Sequence, residues 1–249
     1  MPETTENKSF WDHLEELRGS LIRMLIAALV FSTLAFCFKD WLFKIVLAPK
    51  DSTFFMYKLF GGGDFSIHLM NIGLTEQFMI HLKTAFAFGL LMASPYIIKV
   101  LFDFVRPALY EKERKHSVSI VLSAYLMFLV GVLVNYLFIF PLTVRFLGTY
   151  QVSDQVSNML TLQSYMDTLL MMSLVFGIIF EIPIVSWLLA RFGLLKSEYM
   201  TRYRRHAIVA ILIIAAIITP TGDAFTLMIV SLPIWLLYEM SVLIVKRVE

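Results

Sequence analysis

Six stretches of hydrophobic residues, each set off by polar or charged clusters, divide this chain. About 20 apolar residues are needed for a helix to cross ~30 Å of hydrocarbon. On that measure the pattern predicts crossings at residues 20–38, 77–102, 117–144, 168–190, 207–219 and 224–245. The second is the least clean, with His81 and Lys83 near one end and Lys99 near the other, where lysine stems can snorkel to an interface. The third runs 28 residues without a formal charge and is expected to close at Pro141 and Arg145. The fourth holds a single charge, Glu181, and the sixth holds only Glu239. The fifth is apolar for only 13 residues, about 20 Å of helix at ~1.5 Å per residue. Pro220-Thr221-Gly222-Asp223 then turns the chain back, making the last two spans a hairpin. The fold class predicted is all-α, an integral membrane protein with six transmembrane helices, organised as one domain over residues 1–249.

An even number of crossings puts both termini on one side, and the basic residues say which. The N-terminal segment, the 99–115 loop, the 191–205 loop and the C-terminal end hold three, five, five and two Lys/Arg, fifteen in all. The opposite side holds four in the 39–75 loop plus Arg145. The excess of positive charge marks the cytoplasmic face, so both termini are expected there. The start MPETTENK is polar and carries two acids, which fits neither a cleavable signal peptide nor an organellar transit sequence. The 39–75 loop reads either as a plain connector or as an interfacial amphipathic helix through Trp41, Leu42, Ile45, Val46 and Leu47, ending before Ala48-Pro49. Gly61-Gly62-Gly63 reads as a flexible turn.

Composition agrees with a membrane setting: 249 residues, 59% hydrophobic and 16% charged, with mean hydropathy +0.76. A soluble core of this size cannot hide so much apolar surface. The single cysteine, Cys37, excludes an intrachain disulfide. HExxH, GxSxG and Walker-type glycine loops are all absent, so hydrolytic and nucleotide chemistry have no motif, and no cofactor, metal or nucleic acid is expected. None of the five histidines lies mid-span, and each reads as an interfacial or loop residue.

Three polar features stand out against that background. FVRPALYEKERK, residues 104–115, is a dense charged island in which Glu113 sits among Lys112, Arg114 and Lys115. HLEELR, residues 13–18, precedes the first span in what reads as a short helix capped by Ser9 or Asp12. There His13, Glu16 and Leu17 share one face while Glu15 points elsewhere, so the segment is either an ordinary amphipathic helix or half of a binding site. Glu181 is a carboxylate near mid-span, which costs roughly 2.5–3.5 kcal/mol to insert and must therefore face protein or water. Pro183 two residues on is expected to kink that span.

Taken in order, HLEELR, Ala48-Pro49, FVRPALYEKERK, FGIIFEIP at 176–183 and Thr219-Pro220-Thr221-Gly222-Asp223 resemble the TatC family, the polytopic core of twin-arginine protein translocases. The resemblance covers nearly the whole chain. It implies a cupped bundle with two short final helices in the bacterial cytoplasmic membrane. It also implies recognition of twin-arginine signal peptides and export of folded proteins driven by the proton-motive force. The implied partners are TatA/TatB-type single-span subunits, further copies of the chain and membrane lipid.

Residue by residue, Glu16 and Glu113 match the family's two arginine-recognising acids, and Arg18 a basic neighbour; Leu17 shares the face of Glu16. Phe104 matches an aromatic lining the groove, and Lys115 stands where some relatives carry Arg. A pair of carboxylates suits the planar guanidinium fork better than the point charge of lysine. Glu181 with Pro183 is expected either in the concave face, thinning the membrane or touching a partner helix, or as a neutral acid bonded within the bundle. Thr219 and Asp223 match positions near the docking region for the single-span subunits, and Thr226-Leu227 stand where some relatives carry Gln. Glu239 is a weaker intramembrane acid, and Pro49 a structural residue of the external loop. The rival class is a proton-coupled secondary transporter using Glu181 and Glu239; a membrane-bound enzyme has no catalytic residues to support it.

Overall fold

The computed structural model describes residues 10–59, 65, 67–105, 117–151, 153, 159–219 and 223–249. Among them, five stretches are helical, long and apolar enough to cross a membrane: Leu14–Phe36, Glu76–Phe104, Val118–Thr149, Leu162–Arg191 and Ala224–Val248. The chain is a multi-pass membrane protein. The expected fifth crossing is present as a helix of 15 residues, Arg204–Ile218, too short to count among these five.

Helix α1 (Phe10–Phe36) packs along α4 (Glu76–Val105) more extensively than any other pair. HLEELR is not a separate short helix: it runs straight into the span, and Asp12 lies inside α1 rather than capping it. Gly19 is the only helix-weakening residue on the way, at about 1 kcal/mol, too little to break a helix of this length. The two helices approach closely because Gly89 lies against Ser32, and a Cβ at Gly89 would come within 2.5 Å of the Ser32 Cα. Pro95 inside α4 removes the N–H that the Leu91 carbonyl would otherwise receive. The Ser94 hydroxyl donates to that carbonyl at 2.7 Å, so the helix continues.

The loop after α1 holds an amphipathic helix, α2 (Lys39–Leu47), followed by a 3-10 turn at Ala48–Lys50 and the short α3 (Phe55–Leu59). The connector reading is thus replaced by the helical one. Buried Leu42, Val46, Pro49, Met56 and Tyr57 press this cap onto the bundle. The last carbonyls of a helix lack intrahelical donors, and here tyrosines supply them. Tyr136 donates to Ile45 O at 2.7 Å and Tyr165 to Val46 O at 2.9 Å. The Tyr57 hydroxyl has one proton to share between two carbonyls, Pro49 O at 2.7 Å and Pro141 O at 3.0 Å. Burial raises the Tyr57 pKa against the opposing pull of Arg145, so the phenol stays protonated and able to donate. Gly61-Gly62-Gly63 lies outside the described residues.

The third crossing does not end at Pro141. Helix α5 (Ser117–Val134) widens into a π-helical turn at Asn135–Ile139 and resumes as α6 (Phe140–Thr149), with Phe140 N–H reaching Asn135 O. Pro141 falls in the first turn of α6, where its missing N–H is tolerated. Two-residue strands β1 (Leu69–Met70) and β2 (Leu160–Thr161) pair in parallel, a small exception to the all-α expectation.

The fourth crossing is two helices, α7 (Leu162–Ile179) and α8 (Ile182–Arg191), broken at Phe180–Glu181. The core gathers on α7 through Met166, Leu169, Met172 and Phe176, packed with Phe140 and Val144 of α6. Beyond α8, α9 (Ser197–Arg202) leads to α10 (Arg204–Ile218) and α11 (Ala224–Val248). Only one of the two final helices is short. At ~1.5 Å per residue α10 spans about 22 Å and α11 about 37 Å, with Lys246 and Arg247 in the last turn of α11.

Replacing Gly89 by Ala sets a methyl group against the Ser32 backbone, which cannot rotate away. The expected cost is about 1–3 kcal/mol, read as a lower unfolding midpoint in mild detergent. An unchanged midpoint would show that α1 and α4 separate freely.

Candidate functional site

Glu16, Leu17 and Arg18 lie where the second turn of α1 passes into the third, and the helix phase sorts them. Glu16 and Leu17 are half-buried, whereas Glu15 and Arg18 are exposed. The antiparallel register of α1 and α4 is given by Phe36, stacked 4.0 Å from His81, and by Ser32 against Gly89. Sixteen residues before Ser32 stands Glu16, and fifteen after Gly89 stands Phe104, so the two share one end of the hairpin. Phe104 is half-buried there, between buried Phe102 and the start of segment 106–116. Glu113 and Lys115 lie outside the described residues, as does most of the charged island. The helix register thus sets Glu16 and Phe104 toward the same end of the α1–α4 pair. The side chain of His13 lies outside the described residues too.

Glu181 occupies the break between α7 and α8, where its own carbonyl accepts from Ile184 N and Val185 N at 3.0 and 2.9 Å. It therefore stands in a helix-to-helix joint, correcting the expectation of a merely kinked span. Pro183 is buried in the first turn of α8, where no donor is required of it. The Glu181 side chain is half-buried, and its Oε1 is buried with no hydrogen-bond partner among the described residues. Close packing surrounds the joint: a Cβ at Gly131 would meet Phe176 O at 2.5 Å, and one at Gly177 the Phe128 ring at 2.6 Å.

The remaining polar positions make contacts within the chain. Glu239 accepts from Arg204 at 2.8 Å, so the proton-coupled pair of the transporter reading has its second acid in an ion pair with the first turn of α10. Asp223 caps α11 by accepting from Thr226 N at 2.7 Å. Thr219 is buried with its hydroxyl bonded to Ala215 O at 3.0 Å, and Thr226 is wholly buried. Within this chain both threonines face inward, Thr226 with its hydroxyl oxygen buried and without a partner among the described residues. Phe225 stacks on Phe146 at 4.2 Å, which seats the start of α11 against α6. Pro220, Thr221 and Gly222 lie outside the described residues.

Some contacts were not foreseen. His81, near the start of α4 as expected, is buried there between Phe36 and Phe43. Lys83 pairs with Asp167 at 2.7 Å, joining α4 to α7. Asp167 lies one residue before the predicted fourth span, and the signal available was an opposite charge near the start of another helix. At the other end of the bundle, Tyr238 donates to Met200 O at 2.8 Å, and Ser197 donates from its backbone to Glu249 Oε1 at 2.7 Å and from its hydroxyl to Glu249 Oε2. These bonds tie α9 to α11.

Comparisons with known proteins agree with one another. The family model described as Sec-independent protein translocase protein (TatC) matches residues 12–233. The Blattabacterium protein named Sec-independent protein translocase protein TatC is 31% identical over 94% of both chains. The Aquifex aeolicus protein of that name is 33% identical over 94% of this chain and 93% of its own length. The Bacillus subtilis protein TatCy is 31% identical over 96% and 89%. A crystal structure described as the twin arginine translocase receptor TatC superposes with TM-score 0.80 at 32% identity, over 95% of this chain and 99% of that one.

The Ser197–Glu249 contact gives a pH prediction. The side-chain and then the backbone hydrogen bond from Ser197 hold the Glu249 carboxyl below the usual glutamate range. A depressed carboxylate stabilises the contact above its ordinary pKa and ceases to do so as pH falls through the lower value. Hydrogen exchange at the Ser197 amide, normalised to intrinsic rates, is expected to be slow and flat from pH 5 to 8 and to quicken below about pH 4. A transition near neutral pH would contradict this assignment.

Proposed function

Because the chain belongs to the TatC family of Sec-independent protein translocases, we propose that it is the receptor that binds twin-arginine signal peptides at the cytoplasmic face. The observation carrying this reading is the α1–α4 register, which sets half-buried Glu16 level with Phe104, where the Glu113-bearing segment begins. Two carboxylates would each take one guanidinium of the arginine pair, with charge-assisted bonds worth about 1.5–3 kcal/mol each. Exposed Arg18 is two residues after Glu16, and Lys115 two after Glu113, so each acid has a basic residue close to it in the sequence. Leu17 and Phe104 supply apolar wall for the residues that follow the pair.

The proposed topology has six crossings of the bacterial cytoplasmic membrane with both termini in the cytoplasm, α10 serving as the fifth, in one cupped domain over residues 1–249. Fifteen Lys/Arg on that side support the orientation. A helix of about 22 Å in ~30 Å of hydrocarbon requires thinning or a neighbouring helix. We assign the α10–α11 hairpin to docking of TatA/TatB-type single-span subunits, with Thr219, Asp223 and Thr226 shaping it from within. Together with further copies of the chain, the assembly would export folded proteins using the proton-motive force. Glu181, at the α7–α8 joint with a buried oxygen, is assigned to assembly or membrane thinning more than to signal recognition.

In membranes, crosslinking of a twin-arginine signal peptide to the Glu16→Ala and Glu113→Ala variants is expected to fall by an order of magnitude or more. A twin-lysine peptide should crosslink weakly to the unmodified protein. Undiminished crosslinking in both variants would overturn the assignment. Glu181→Ala is expected to keep peptide crosslinking while losing co-purification of single-span subunits. The opposite pattern would reverse its role.

A further inference from the structure

A cavity of about 560 Å³ lies between α4, α5 and α7, large enough for an organic ligand. Its wall is hydrocarbon: Phe86 and Leu90 from α4, Phe128 and Val132 from α5, Leu170 and Leu174 from α7. Phe86, Met171 and Leu174 are more than two-fifths exposed, so the cavity opens sideways toward lipid. Polar groups on its floor are already engaged, Tyr136 with Ile45 O and Ser173 with Asn135. The charged residues in its lining are Lys83 and Asp167, paired at 2.7 Å yet 45% and 42% exposed. Lys83 is seven residues into α4 and Asp167 five into α7, so both lie within about 10 Å of the helix starts, the depth of a lipid headgroup and its ester linkages.

We propose that this cavity is a binding site for one phospholipid with a phosphate and a primary ammonium in its headgroup, an ethanolamine type, its acyl chain lying between α4, α5 and α7. The charges on the protein are complementary to those of the lipid. Lys83 carries three donors, of which Asp167 Oδ1 takes one, leaving the others for phosphate. Asp167 accepts N–H bonds from a primary ammonium, which a choline headgroup cannot donate. An anionic glycerol headgroup brings a phosphate for Lys83 but only neutral hydroxyls for Asp167, weaker partners than a charged ammonium. The site goes beyond general contact with bilayer lipid because it names a headgroup and the two residues that read it.

The test uses the full chain in nanodiscs of equal phosphatidylethanolamine and phosphatidylglycerol, followed by gentle extraction and native mass spectrometry of retained lipid. One ethanolamine lipid per chain is expected, enriched on the order of threefold over the glycerol lipid, in the range of partly exposed charge contacts. Asp167→Asn, nearly isosteric, should abolish the enrichment, and phosphatidylcholine should not substitute. Leu90→Trp, which fills the cavity and leaves the charges, should abolish retention of the lipid. Equal retention of both lipids by the unmodified protein, or enrichment that survives in both Asp167→Asn and Lys83→Gln, overturns the proposal. So does a cavity that retains no lipid because a transmembrane helix occupies it.

Discussion

Backbone polar groups released inside or beside hydrocarbon must find partners within the protein, since water cannot serve them there. This constraint governs the irregular points of the chain. Where Pro95 removes a donor, the hydroxyl of Ser94 replaces it at the Leu91 carbonyl. Where α2 ends against the bundle, Tyr57, Tyr136 and Tyr165 donate to its last carbonyls and to the turn behind it. Each such bond contributes only about 0.5–1.5 kcal/mol net, but leaving a buried carbonyl unpaired costs about 1–3 kcal/mol. The tyrosines come from α3, from the π-helical turn and from α7, so the cap locks three separate parts of the chain in one arrangement.

Close packing does the rest. Without a hydrophobic driving force between helices in lipid, association depends on backbones approaching closely, and small residues permit it. Gly89 against Ser32 joins α1 to α4, while Gly131 and Gly177 join α5 to α7 beside the Phe180–Glu181 joint. Rigid pairs built this way hold their polar ends in fixed register. Glu16 and Phe104 share one end of the first pair, and Lys83 meets Asp167 near the opposite end of α4.

The acids of this family member divide by environment. Glu239 and Asp167 answer to cations, Arg204 and Lys83, on neighbouring helices, and Asp223 answers to a helix N-terminus. Glu181 sits at the α7–α8 joint and keeps a buried oxygen with no partner among the described residues. Glu16 differs again, half-buried at the membrane-adjacent start of α1 and level with the segment that carries Glu113.

The sequence by itself determined where the chain crosses, because burial in hydrocarbon demands long uncharged runs whatever the packing. It also determined that 207–219 is short and, through ordered motifs, the family, while it left Trp41 to Leu47 open between a connector and an amphipathic helix, which packing against the bundle decided. It could not tell a helix that bends from one that breaks: Pro95, Pro141 and Pro183 look alike in a sequence, yet one is bridged by Ser94, one follows a π-helical turn and one opens a new helix. That outcome depends on which donors arrive from elsewhere. Nor could spacing reveal that Glu239 is neutralised by Arg204, that Thr219 and Thr226 face inward, or that Lys83 and Asp167 meet. Those pairings join residues 35 to 84 positions apart, and only the tertiary packing of helices decides which of them touch.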